Sequence, residues 1–82
     1  MKSLHSQPYQ ALLTLLLEAR RKAAITQTDL ADKLGRPQSF VSKYERGERR
    51  LDVVEFLEVC RGIGADPYKL LKKIEGGSPP KG

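Results

Sequence analysis

The 82-residue sequence contains one cysteine and one histidine. A single cysteine excludes an intramolecular disulfide framework, and one His with one Cys falls short of the four ligands of a structural zinc site. No metal is expected, and the fold has to stand on its apolar core. Long apolar runs are lacking too. The longest, Ala11 to Leu17, is seven residues broken by Thr14, far below the roughly 18 needed to cross a bilayer. Glu18-Ala19-Arg20-Arg21-Lys22 follows it instead of a small-residue cleavage site, so a cytoplasmic protein with no membrane contact is expected. No spacing pairs a nucleophile with a base, and so short a chain leaves little room for a deep cleft. An enzyme, a cofactor and a small-molecule ligand are therefore not expected.

What the sequence does have is 39% hydrophobic and 30% charged residues, with a net charge of +5. That is the composition of one folded domain with a preference for an anionic partner. Five segments carry the 3.6-residue apolar period and none shows the alternation of a strand, so an all-α fold of five helices is predicted. The first runs from about Pro8 to Ala23, with Tyr9, Leu12, Leu13 and Leu16 on one stripe and Pro8 in the first turn. The second starts at a capping box, Thr26 with Asp29, stapled by Ile25 and Leu30, and stops at Gly35. A third begins near Pro37 and ends at Tyr44 or Glu45. The fourth repeats the box with Asp52 and Glu55 and the staple with Leu51 and Phe56; Val53, Phe56, Leu57, Cys60 and Ile63 form its core face. Asp66-Pro67 opens a fifth, with Leu70, Leu71 and Ile74 inward. An N-terminal arm over 1–8, a domain over 9–74 and a disordered tail over 75–82 complete the organisation.

Residues 26–50 lay a short capped helix, a Gly-containing turn and another short helix end to end, the layout of a helix-turn-helix. On the second of these helices Gln38, Ser39, Ser42, Lys43 and Arg46 fall in one arc, with Phe40, Val41 and Tyr44 opposite. The arc suits base reading: Gln can bond adenine N6/N7, Lys can donate to guanine O6/N7, and Ser can do either. Arg36, Arg49 and Arg50 bracket the helix and are candidates for phosphate contacts, as are Arg46 on the arc and Gln27 at the start of the preceding helix. Charge is localised in the same way. Residues 35–50 hold five basic and two acidic side chains, giving +3, whereas residues 51–66 hold four acidic and one basic, giving −3. Phe40 suits either the helix scaffold or a sugar-phosphate backbone, and Cys60 suits buried packing.

In order and spacing, Ile25-Thr26-Gln27, Asp29-Leu30-Ala31, Lys33-Leu34-Gly35, Gln38-Ser39, Val41-Ser42, Tyr44-Glu45 and Arg46-Gly47 resemble the phage Cro/repressor-type helix-turn-helix proteins, also called the XRE family. Leu57, Ile63-Gly64-Ala65 and Leu70-Leu71 extend the match, which covers about residues 9–74 with the motif at about 27–46. The resemblance implies a compact lambda-repressor-like domain. It implies that Gln27 donates to a phosphate, that Gln38, Ser39, Ser42 and Lys43 face base edges or adjacent phosphates, and that Arg20 pairs with Glu45 in a partly buried structural salt bridge. Pro37 departs from the pattern where a capping Ser or Thr is usual, and Leu51 replaces a common proline.

The leading expectation is thus a sequence-specific transcriptional regulator, a repressor, that binds double-stranded DNA as a homodimer on an inverted repeat. One short helix reads too few base pairs to single out a genomic site, and two-fold symmetry supplies the rest. Val54, Val59 and the surface of the fifth helix are candidates for the dimer contact. The alternative is an adaptor or antitoxin-type module whose main contact is another protein.

Overall fold

A computed structural model describes residues 6–77, which form five α-helices in the order α1 Gln7–Lys22, α2 Gln27–Leu34, α3 Gln38–Glu45, α4 Val53–Ile63 and α5 Pro67–Gly77. No strand occurs among the described residues. Residues 1–5 of the expected arm and 78–82 of the expected tail lie outside them. Within them α1 starts at Gln7, and α5 continues through Glu75, Gly76 and Gly77.

Local chemistry accounts for the helix boundaries. Ser6 caps α1, its hydroxyl accepting from the Tyr9 N–H, with Pro8 in the first turn. Both capping boxes form: Thr26 Oγ1 accepts from Asp29 N at 3.0 Å while Thr26 N donates to Asp29 Oδ2, and Asp52 with Glu55 does the same at 2.7 and 3.0 Å. Each such cap contributes about 1 kcal/mol to its helix. Gly35 ends α2 with φ +67°, a left-handed conformation in which a Cβ would crowd the carbonyl. Asp66 Oδ1 accepts from the N–H groups of Tyr68 and Lys69 at the start of α5.

α2 packs on α3 and α4, and α1 packs on α3, α4 and α5. Leu16, Leu30, Val41, Tyr44, Val59 and Cys60 are fully buried where these helices meet. Each large aliphatic among them contributes roughly 2 kcal/mol by leaving water. Burial also pushes the Cys60 thiol up to about 11, so it packs as a small neutral apolar group.

Two side chains do not lie where the apolar pattern puts them, and a third does not lie where a dimer contact would need it. Val53, expected in the core, is 74% exposed, because as the first residue of α4 it projects beyond the helices that cover the rest of that face. Leu71, expected inward, is 47% exposed; it lies on the flank of an α5 stripe that Leu70 buries. Val59, a candidate for an exposed contact, is fully buried, since it lies three residues after Phe56 and shares its inward face.

One glycine sets the distance between α2 and α4. A Cβ on Gly62 would lie 2.8 Å from Leu30 Cδ1 and 3.4 Å from Leu34 Cδ2. The bare backbone there makes room for the Leu30 and Leu34 side chains of α2.

Candidate nucleic-acid interface

α3 is two-faced. Phe40, Val41 and Tyr44 are buried, whereas Gln38, Ser39, Lys43 and Arg46 are exposed and Ser42 is half-exposed. Pro37 occupies the cap position in an extended conformation and brings no side-chain hydrogen bond, so the carbonyl of Pro37 takes the Phe40 N–H at 2.9 Å instead. Gly47, buried and at φ +78°, turns the chain away at the other end.

Beneath the helix runs a chain of hydrogen bonds. Arg20 Nε and Nη2 donate to Glu45 Oε2 and Oε1 at 2.6 and 3.1 Å, and Nη1 donates to the carbonyl of Ile25 at 2.8 Å. The Glu45 side chain is only 6% exposed. A charge so desolvated needs this fork, and the Glu45 hydrogen bonds raise the arginine's pKa in turn. Gln27 Nε2 also donates to Glu45 Oε1 at 2.8 Å, and Gln27 Oε1 accepts from Gln38 Nε2 at 2.6 Å. Gln27, expected on a phosphate, therefore links the buried ion pair to the first residue of α3. With its amide nitrogen held by Glu45, Gln27 presents its amide oxygen to Gln38 and orients that side chain.

The flanking arginines are engaged within the protein. Arg49 donates twice to the Glu55 carboxylate, at 2.9 and 2.7 Å, and Arg36 Nη1 reaches Glu55 Oε2 at 3.4 Å and its Nη2 reaches Glu58 at 3.5 Å. The guanidinium carbons of Arg36 and Arg49 stand 4.4 and 4.9 Å from the centroid of the Phe40 ring, which meets Tyr44 edge-on at 5.7 Å. Phe40 is thus a scaffold residue and the platform on which two cations rest. Hydrogen bonds from Arg49 and from the Asp52 backbone hold the Glu55 carboxyl well below its ordinary value, at about 2. Arg50 lies over the Tyr9 ring at 4.2 Å, and the Tyr9 hydroxyl accepts from the Leu51 N–H at 3.1 Å. Arg46 forks onto Glu48 and donates to Ser42 Oγ.

Gln38, Ser39, Ser42, Lys43 and Arg46 therefore share one outward face. Arg36 and Arg49 gather at the α3–α4 junction, and Gln27 sits behind Gln38. Two acidic residues have pairings with these arginines that the sequence did not reveal. Glu48 follows Arg46 by two residues and was visible there only as a charge. Glu55 was visible as a cap, and its second role depends on a loop geometry that spacing does not encode.

Residues 11–72 match the family described as "Helix-turn-helix domain". An XRE-family like protein from Pseudomonas syringae pv. tomato str. DC3000 is 68% identical over 88% of each chain and superimposes with a TM-score of 0.85. The chain belongs to the XRE family of helix-turn-helix proteins. Two more distant structures share the fold. The clp gene regulator ClgR from C. glutamicum is 22% identical over 94% of this chain and 100% of its own, with a TM-score of 0.76. The wild-type restriction-modification controller protein C.Esp1396I is 19% identical over 88% and 95%, with a TM-score of 0.77. Comparison with curated proteins gives no significant match. Membership in the XRE family supports a DNA-binding transcription regulator and suggests a non-enzymatic role. No helix among the described residues is long and apolar enough to cross a membrane.

Proposed function

We propose that the chain is a sequence-specific transcriptional repressor that places α3 of each of two copies in successive major grooves of an inverted repeat, acting in the cytoplasm of a bacterial or phage-infected cell. The observation that carries this reading is the division of α3. Its apolar face is locked against the core, and its polar face presents Gln38, Ser39, Ser42 and Lys43 together. These four are the base readers. Gln38 is oriented by Gln27, and a side chain ordered before binding loses less entropy on meeting an adenine edge. Arg46 and Arg50, with Arg36 and Arg49 at the α3–α4 junction, supply the positive field toward the phosphates.

The second copy is met through apolar side chains that the fold leaves uncovered, namely Val53, Val54, Tyr68 and Leu71, which are 47–76% exposed. Val59, being buried, has no part in this contact. Selection on random duplexes tests the reading: two similar half-sites about one helical turn apart are expected, and the absence of any enriched motif refutes it. Sedimentation of the free protein tests the pairing. A module that has exchanged DNA for a protein partner would instead show no salt-dependent duplex binding.

A further inference from the structure

The reading face carries an acidic residue that base reading does not require. Arg46 Nε and Nη2 donate to Glu48 Oε2 and Oε1 at 2.9 and 3.1 Å, while Arg46 Nη1 donates to Ser42 Oγ at 2.8 Å. Each guanidinium nitrogen therefore makes one hydrogen bond within the protein, and the edge formed by Nε and Nη2, the one that suits a bidentate acceptor, is taken by Glu48. The two oxygens of Glu48 take the fork that two phosphate oxygens would take. The pair is also exchangeable, because the Arg46 and Glu48 side chains are 58% and 53% exposed. This distinguishes it from the Arg49–Glu55 pair at the α3–α4 junction, whose carboxylate is 10% exposed and also belongs to a helix cap. The Arg46 hydrogen bonds, with a smaller contribution from the nearby Lys43 charge, lower the Glu48 pKa.

From this geometry we infer that Glu48 is a built-in competitor for the DNA phosphate that Arg46 would otherwise take, and so a brake on the protein's affinity for any duplex. Random duplex offers only phosphates, and their neutralisation supplies essentially all of its affinity. Occupying Arg46 with Glu48 withholds one of those contacts. A cognate site offers the same phosphate, so exchanging Glu48 for it costs as much there, and the pair lowers affinity for both kinds of duplex.

The inference rests on the DNA-binding reading, and its test separates the two. Binding of a random-sequence duplex by the wild type and by Glu48→Gln is followed by fluorescence anisotropy across a salt titration. Glu48→Gln is expected to bind about three- to tenfold more tightly at low salt, with a log–log salt slope steeper by about 0.9, the value of one added phosphate contact. Circular dichroism is expected to show an unchanged fold, since both side chains are exposed. In an Arg46→Ala background the change in slope should vanish, because the contact that Glu48 withholds is gone. An unchanged or weaker Glu48→Gln, or a gain that persists in full without Arg46, overturns the inference while leaving DNA binding intact. Loss of all duplex binding in both the wild type and the variant overturns both.

Discussion

Glu55 joins the cap of α4 to the two arginines over Phe40, and Glu55→Gln isolates what its charge contributes. Glutamine keeps the shape and an oxygen for the Asp52 N–H, but it removes the carboxylate to which Arg49 donates twice and which Arg36 also reaches. The gap between the ordinary carboxyl value of 4.5 and about 2 corresponds, at about 1.36 kcal/mol per pH unit, to a ceiling of about 3 kcal/mol. The Arg36 and Arg49 side chains are 33% and 41% exposed, so water screens their share, and about 1–2 kcal/mol is expected near neutral pH. That is a sizeable fraction of the few kcal/mol that hold a domain of this size.

The sign follows from linkage. A carboxyl whose folded value lies below its unfolded one stabilises the fold fully above the unfolded value, and this contribution is lost as the pH falls from about 5 through 4.5 to about 2. Urea unfolding of the wild type and of Glu55→Gln at a series of pH values is the assay. The two stabilities should differ by about 1–2 kcal/mol at pH 7 and converge toward pH 2, with unchanged m-values. Other carboxylates titrate in both chains, so the difference between the curves is the observable. A difference that is zero at pH 7, or one that stays constant down to pH 2, refutes the reasoning.

Ala24 is the one described residue other than glycine at positive φ, +59°. Ala24→Gly relieves the crowding of its Cβ and should raise the urea midpoint, by up to about 1 kcal/mol in stability. Gly62→Ala gains about 1 kcal/mol in helix propensity but drives a methyl to within 2.8 Å of the fully buried Leu30. Overpacking costs about 1–3 kcal/mol, so calorimetry should show a lower Tm. The Tyr44 hydroxyl is buried without a hydrogen-bond partner among the described residues, and burial raises its pKa. Tyr44→Phe should therefore leave stability unchanged or slightly higher. On a duplex enriched by selection, Gln38→Ala or Lys43→Ala should cost about 1–3 kcal/mol and relax preference at one base position. Gln27→Ala should relax the same position as Gln38→Ala, because it removes the oxygen that orients Gln38.

Features that depend on neighbours in sequence were legible from the sequence itself. The capping boxes at Thr26 and Asp52, the stop at Gly35 and the division of α3 follow from spacing and backbone chemistry, and each has its counterpart in the structure. Val53 and Leu71 defeated the same method for a definite reason. Helical period says which side of a helix an apolar residue occupies, but it does not say whether another helix covers that end or flank. The contact at Gly62 emerges only once α2 is seen to lie against it, because Leu30 and Leu34 are far from it in sequence. The Arg20–Glu45 pair could be suggested only through resemblance, because 25 residues separate its members.

Charge shows the same limit and explains why the site residues were the hardest to assign. Counted along the chain, residues 35–50 carry +3 and residues 51–66 carry −3, which reads as a basic patch followed by an acidic helix. In three dimensions the two segments meet. Arg36 and Arg49 from the first pair with Glu55 from the second, and Arg46 pairs with Glu48 within the first. The capping box that starts α4 is what brings Glu55 to the junction, and Phe40, buried on the inner face of α3, is what both guanidiniums rest on. A helix start signal and a core residue therefore decide which of the cations face outward. The formal charge of a segment measures how much positive potential it can offer an anion, whereas the partners chosen by the fold determine how much of that potential is available.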